Sequence, residues 1–266
     1  MTSKMKEEAL KLALAMREAR RAERREAWVK AKPQPSAAEQ FVNRMMEFLT
    51  QRQKVKNEEG GMVQQGMLEG MVPQASDGQA VWFALYGRVV VFDTETTGLG
   101  EDDEILQLSA LEFVRGTQTR TFNAYIKPVL EHDDIGTHIH GITKSFLKKN
   151  GRPAREVLDE FFCFLGECVL LVAHNIRFDM DMLRQECALC EGARWELRQV
   201  KTCNTVLFAY RQYPEFSAKT GGCGFALETL IDELGIEAKN SHRADDDADA
   251  CAKLFFRLVK KVRCGQ

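Results

Sequence analysis

The chain has 266 residues, 44% hydrophobic and 29% charged, with 37 Lys and Arg against 39 Asp and Glu. That composition excludes a disordered or fibrous chain and leaves room for one sizeable domain with an appendage, or two small domains. No apolar run approaches the ~18 residues of a membrane span and no short apolar stretch precedes a cleavage site, so no membrane partner and no secretory leader is expected. Eight Cys at irregular spacing fit reduced thiols in an intracellular, reducing compartment better than a disulfide scaffold. The net charge of −2 hides an asymmetry, because residues 1–60 carry 14 basic and 9 acidic residues (+5) and the remainder carries −7.

From Met5 to about Lys32 the chain is rich in Ala, Glu, Lys, Arg and Leu with no Gly or Pro, which predicts a long exposed helix. Arg17, Arg20, Arg21, Arg24 and Arg25 interleave with Glu18, Glu23 and Glu26. Pairing across one helical turn on a solvated face is the simpler reading, and an arm for nucleic acid or a protein partner is the other. Nine Glu in residues 1–60 argue against an organelle transit peptide. Pro33 and Pro35 end the element, a second helical stretch covers roughly Ala37 to Val55, and Glu59 to Gly78 reads as a Gly-, Gln- and Met-rich linker. The expected organisation is a basic helical extension over 1–58, a flexible linker over 59–80 and an α/β domain over 81–266.

Within that domain, Val89-Val90-Val91-Phe92 is the continuous apolar run of a central strand covered on both faces. Strands are predicted around Ile105 to Val114 and Thr121 to Ile126, separated by the Arg115-Gly116 turn, giving an antiparallel meander. Helices and strands then alternate: helix Arg155 to Gly166, strand Val169 to Ala173, helix Asp179 to Cys190, strand Val200 to Thr202 and helix Asn204 to Tyr213. Two helices close the chain, Ala226 to Leu234 and Ala244 to Val262. A meander followed by βα units predicts a mixed sheet, antiparallel and parallel, flanked by helices.

Three clusters carry chemistry. Asp93 and Glu95 end the apolar strand and, by strand alternation, point to the same face as Val89 and Val91. Two carboxylates so placed repel, and a hard divalent cation between them is the natural remedy. His174-Asn175-Ile176-Arg177-Phe178-Asp179 follows another apolar strand, and Asp179 lies beside the stripe of Met180, Leu183, Cys187 and Cys190. There Asp179 reads equally as a first-turn acid complementing the helix dipole or as a ligand. In the acidic run after His242, helical phase puts Asp247 on the side of Cys251, Leu254 and Leu258, and Asp246 with Lys253 and Arg257. A core-facing Asp needs a partner, which a cation shared with Asp93 would supply. An imidazole such as His242 is suited to take a proton from water near neutral pH.

Together, D-T-E-T-T-G-L from Asp93, H-N-x-x-F-D ending at Asp179, and H-R-A-x-x-D ending at Asp247 resemble the three motifs of the DEDD exonuclease superfamily. His242 five residues before Asp247, with Arg243 rather than Tyr at the next position, resembles the histidine type, DEDDh, and the proofreading epsilon subunits of bacterial DNA polymerase III and their relatives. The resemblance spans roughly Val89 to Val262. It implies an RNase H-like fold and 3′→5′ exonuclease activity releasing nucleoside monophosphates from single-stranded DNA or RNA ends. It implies two divalent cations, Mg²⁺ or Mn²⁺, held by Asp93, Glu95, Asp179 and Asp247, with His242 as general base. It also implies that Thr96, Thr97, Gly98 and Leu99 hold the terminal nucleotide, with His140, Asn175 and Phe178 as further substrate contacts.

Other features read more plainly. Cys187 and Cys190 form a C-x-x-C on a buried stripe and are expected in the core rather than on zinc. His132 is expected on the surface, His138 and His140 in loop structure near the substrate, and Gly221-Gly222-Cys223-Gly224 in a flexible turn. A function of another class is also carried: an exonuclease-like binding or assembly module, docked on a protein partner through residues 1–80. A third is proofreading in trans for a polymerase.

Overall fold

The computed structural model describes residues 74–264, except 101–102, 131, 133, 167–168, 191–199, 217–224 and 240. The expected helical extension over 1–58, most of the linker and the glycine cluster at 221–224 lie outside the described residues.

The described chain starts earlier in the fold than its composition implied. Gln74 bridges to Thr202, the Ala75 N–H donates to the Thr202 carbonyl at 2.7 Å, and helix α1 (Asp77–Tyr86) follows at once. Ser76 caps this helix through a reciprocal pair with Gln79, which satisfies two donors that a helix start leaves open. Ala80 and Ala84 are buried on it. Residues 74–80, expected within the linker, are therefore folded: the capping pair and two small apolar residues outweigh Gly78.

The remaining elements are β1 (Arg88–Thr96), β2 (Ile105–Val114), β3 (Thr117–Tyr125), α2 (Thr137–His140), α3 (Lys144–Asn150), α4 (Ala154–Leu165), β4 (Leu170–Ala173), α5 (Ile176–Leu189), β5 (Lys201–Asn204), α6 (Thr205–Gln212), α7 (Leu227–Glu233) and α8 (Ala244–Cys264). The short helices α2 and α3 had no counterpart in the sequence reading. The five strands lie in the order β3-β2-β1-β4-β5. β1, β2 and β3 pair antiparallel, whereas β1–β4 and β4–β5 pair parallel. The β2–β3 hairpin turns on Arg115 (φ 52°) and Gly116 (φ 78°), the doubly positive backbone whose twist matches that of the flanking strands. β3, at the sheet edge, starts with mostly exposed polar residues.

Alternation along β1 divides the core. Val89 and Val91 pack with Phe208, Leu254, Phe255 and Leu258 on one face, while Val90 and Phe92 pack with Val157, Leu158, Phe161, Met180 and Leu183 on the other. Each such side chain, fully buried, contributes about 2 kcal/mol of transfer free energy. The sheet is therefore held between α8 on one side and α4 with α5 on the other, and side chains from both faces meet where β1 ends. Cys187 and Cys190 pack partly buried against the second cluster, in keeping with a core role.

Candidate active site

β1 runs from the core straight into the site. Its alternation puts Asp93 and Glu95 on the α8 face and Thr94 on the α5 face. A register irregularity between Glu95 and Thr96 ends regular pairing with β2 and re-aims the chain that follows. On α8, one turn before Cys251, Asp247 is 8% exposed, and oxygen atoms of Asp93, Glu95 and Asp247 lie within 4.8 Å of one another. Asp179 reaches the same place from α5, 3% exposed. It accepts hydrogen bonds from the Thr94 N–H (3.1 Å) and the Thr94 hydroxyl (2.7 Å). Asp179 lies within the first turn of a helix that begins at Ile176, three residues before the start assigned to it in the sequence.

The electrostatics follow from that crowding. Desolvation, then the charges of Asp179, Glu95 and Asp247, raise the pKa of Asp93 well above its usual range. Burial, then Asp247, Asp179 and Asp245, push Glu95 up to about 8. Desolvation takes Asp179 to about 7 against the Thr94 hydrogen bonds that favour its charge, and Asp247 to about 6 against the bond from the Ser241 N–H. No described cation lowers Asp93, Glu95 or Asp179. The converging carboxylates of Asp93, Glu95, Asp179 and Asp247 make an all-oxygen donor set, which fits hard divalent cations.

The entrances to both site helices are strained. Asn175 (φ 62°, ψ 44°) precedes α5 and His242 (φ 51°) precedes α8. Left-handed backbone in non-glycine residues persists only where the surroundings impose it. At Asn175 the Asn204 side chain does so, accepting its N–H at 3.2 Å while also capping α6. His242 is exposed and stands close enough to Asp247 and His140 to influence both electrostatically.

The expected substrate residues divide. Thr96, Thr97, Gly98 and Leu99 form the loop after β1, but most of its polar groups serve the loop. The Thr96 hydroxyl donates to the Gly98 carbonyl (2.6 Å), and that of Thr97 donates to Asp103 (2.7 Å) and accepts the Glu104 N–H (3.0 Å). Gly98 is required by close approach, since a Cβ there would lie 2.7 Å from the Asp103 carboxylate. Leu99 projects outward, 46% exposed. Phe178 packs partly buried against the core of the α5 face. His140 is 4% exposed, its Nδ1 accepts the Ile142 N–H (3.0 Å) and its Nε2 therefore donates to the Ile135 carbonyl (2.7 Å). Both ring nitrogens are used within the protein, so they are not available to a substrate. His132 is likewise not a surface side chain: at 14% exposure it meets Glu104 at 3.1 Å. Glu104 also accepts the N–H groups of Val129 and Leu130.

Several supporting residues escaped the sequence reading. Thr94 holds Asp179, and Gln107 stands opposite Glu95 on β2. His174 contacts the Thr205 hydroxyl and the Phe225 carbonyl, each at 2.9 Å, with its pKa lowered to about 4 by desolvation. Position within the H-N-x-x-F-D motif was the signal for His174; Gln107 had none.

The family profile described as exonuclease, RNase T, matches residues 90–255, more than half of the chain and all four acids. The chain belongs to this exonuclease family. Its exonuclease domain is 33% identical over 177 residues to the PolC-type DNA polymerase III of Thermotoga maritima, covering 65% of this chain and 12% of that protein. It is 30% identical over 178 residues to the 3′-5′ exonuclease DinG of Bacillus subtilis, covering 66% of this chain and 18% of that one. The match thus spans less than a fifth of either relative. Among solved structures, exonuclease X in complex with 5′ overhanging duplex DNA superimposes with a TM-score of 0.50 at 18% identity, over 67% of this chain and 93% of that one. The mixed sheet is the RNase H-like fold expected from the motifs. No helix among the described residues is long and apolar enough to cross a membrane.

Proposed function

We propose that the exonuclease domain is a divalent-cation-dependent 3′→5′ exonuclease of the DEDDh type, removing nucleoside monophosphates from single-stranded 3′ ends. The observation that carries this reading is the convergence of Asp93, Glu95 and Asp247 within 4.8 Å, with Asp179 raising the pKa of both strand acids. These four residues would hold two Mg²⁺ or Mn²⁺ ions. Bound there, the ions supply neutralisation of phosphate charge and activation of water.

The chain's own residues do the rest. The β1 acids are set by the sheet, Asp179 is locked by Thr94, and Asp247 is fixed by α8, so the donor set is preorganised before substrate arrives. Leu99 offers an exposed apolar contact for the terminal base beside the acids. His242, exposed at the mouth of the site, takes the proton from the attacking water and returns it to solvent. The motifs leave the sugar open, because RNA and DNA are told apart by contacts to the 2′-OH. A DNA polymerase among the relatives favours DNA.

A side-by-side assay on single-stranded DNA, single-stranded RNA and mispaired 3′ ends, with Mg²⁺ or Mn²⁺, tests the reading. Mononucleotides should be released stepwise, and Asp93→Ala should lower the rate by roughly 10³-fold, the scale of several kcal/mol in transition-state stabilisation. Undiminished release by that variant, or none by wild type, overturns the reading and favours the assembly-module alternative.

A further inference from the structure

Gln107 sits on β2 directly opposite Glu95 and is fully buried, at 0% exposure. A carboxamide removed from water must have its donors and acceptor met inside the protein. Its Nε2 donates to Asn123 Oδ1 on β3 and to Asp245 Oδ1 on α8, each at 3.0 Å. Its Oε1 accepts the Ala244 N–H at 3.3 Å. That N–H belongs to the first residue of α8, one of the donors a helix start leaves without a backbone partner. Asp245 is also held by Arg243 at 3.3 Å, and Arg243 donates to the Tyr125 hydroxyl at 3.1 Å. The turn of chain between His242 and Asp247 is therefore tied back to β2 and β3, at the level of Glu95.

We infer that Gln107 is a positioning residue: it clamps the first turn of α8 to the strand facing Glu95, and so sets where His242 and Asp247 stand relative to the β1 acids. The inference rests on the exonuclease reading, and Gln107 itself touches neither substrate nor reacting atoms. The residue type is specific to the task. Leu would fill the space but leave the Ala244 N–H unmet and the Asp245 oxygen to Arg243 alone, whereas Glu would accept from Ala244 yet face Asp245 with like charge.

The full-length protein tests this with three variants. Gln107→Leu should lower kcat by roughly 10–100-fold, the usual cost of losing an orienting contact behind a metal site, with KM for an oligonucleotide end within about twofold of wild type. Hydrogen–deuterium exchange should quicken in the segment 241–247 and stay unchanged in β1 and β4. Gln107→Glu should lose a similar rate. Adding Asp245→Asn to it exchanges donor and acceptor while Asn123 turns its amide to suit, and should recover most of that rate relative to Asp245→Asn alone. Wild-type kcat in Gln107→Leu, accelerated exchange spread over the whole sheet, or no recovery in the double variant would each overturn the clamp. If wild type releases no nucleotide with either cation, the exonuclease reading fails, while the exchange measurement still decides the clamp.

Discussion

Glu95, Asp179 and Asp247 keep their protons up to about pH 8, 7 and 6, well above the ~4 of carboxyls in an unfolded chain. A carboxyl whose folded pKa is raised contributes stability that is complete below about pH 4 and is lost as pH rises through those values. A cation competes with the same protons for the same oxygens. In EDTA, Tm should therefore fall between about pH 5.5 and 8.5. Mn²⁺ at ~100-fold its Kd should raise Tm by about 5 °C or more at the upper pH, and by less at the lower. Parallel melting curves with and without Mn²⁺ would mean that the acids share no cation. Asp93, Glu95 and Asp247 were singled out in the sequence because strand alternation and helix phase are local properties that place them on inward faces, whereas Asp179 read equally as a first-turn acid or a ligand and was selected only by the motif resemblance. Thr94 and Gln107 were not, because their partners are set by contacts 85 and 138 residues away. His140 matched a motif, but which way its ring turned depended on the Ile135 and Ile142 backbone.

Away from the acids, elements are joined by charge of the opposite arrangement. Glu112 of β2, its side chain 5% exposed, accepts from Arg88 Nε at 2.5 Å, Arg120 Nη2 at 2.6 Å and the Thr119 hydroxyl at 2.6 Å. Both arginines also donate to carbonyls at the end of α4, Phe164 or Leu165, closing a helix C-terminus with cations as its dipole favours. The bond from Arg120 comes first in lowering the Glu112 pKa, to about 2. A depressed carboxyl contributes stability above its unfolded pKa of ~4.3 and loses it as pH falls towards 2. Glu112→Gln should therefore destabilise by about 2 kcal/mol at pH 7, since it leaves two arginines short of their charge partner. It should also flatten the acid limb of the stability curve between about pH 4.5 and 2. Chemical denaturation at pH 7 and pH 3 measures both effects, and an unchanged difference between them would remove Glu112 from the acid response. At this scale most strands and longer helices were readable from period and turn residues. α1 was not, because a window rich in Gly and Gln conceals a helix held by the Ser76–Gln79 capping pair and the packing of Ala80 and Ala84, and α2 and α3 are too short to carry a period.

For the molecule as a whole, the charge asymmetry poses a problem of attraction. A region of −7 repels a polyanion except where cations neutralise its four site acids. The +5 of residues 1–60 is proposed to supply long-range attraction, or a docking segment within 1–80 for a protein partner. Deleting 1–60 should weaken binding to long single strands and flatten its dependence on salt, because the number of phosphate contacts sets that slope. An unchanged slope, measured by fluorescence anisotropy from 50 to 200 mM salt, would favour the protein-docking role. The sequence by itself determined the order of the motifs, the inward facing of Asp93, Glu95 and Asp247, the meander followed by βα units, and the family. Each depends on spacing along the chain: period two in strands, 3.6 in helices, and a fixed interval from His242 to Asp247. Only the tertiary structure decided that Asp247 meets Asp93, that α8 is clamped at its first turn by Gln107, and that His140 turns inward. Those outcomes depend on which buried faces pack together and in what register, a sum over many weak, distant contacts that no local window contains.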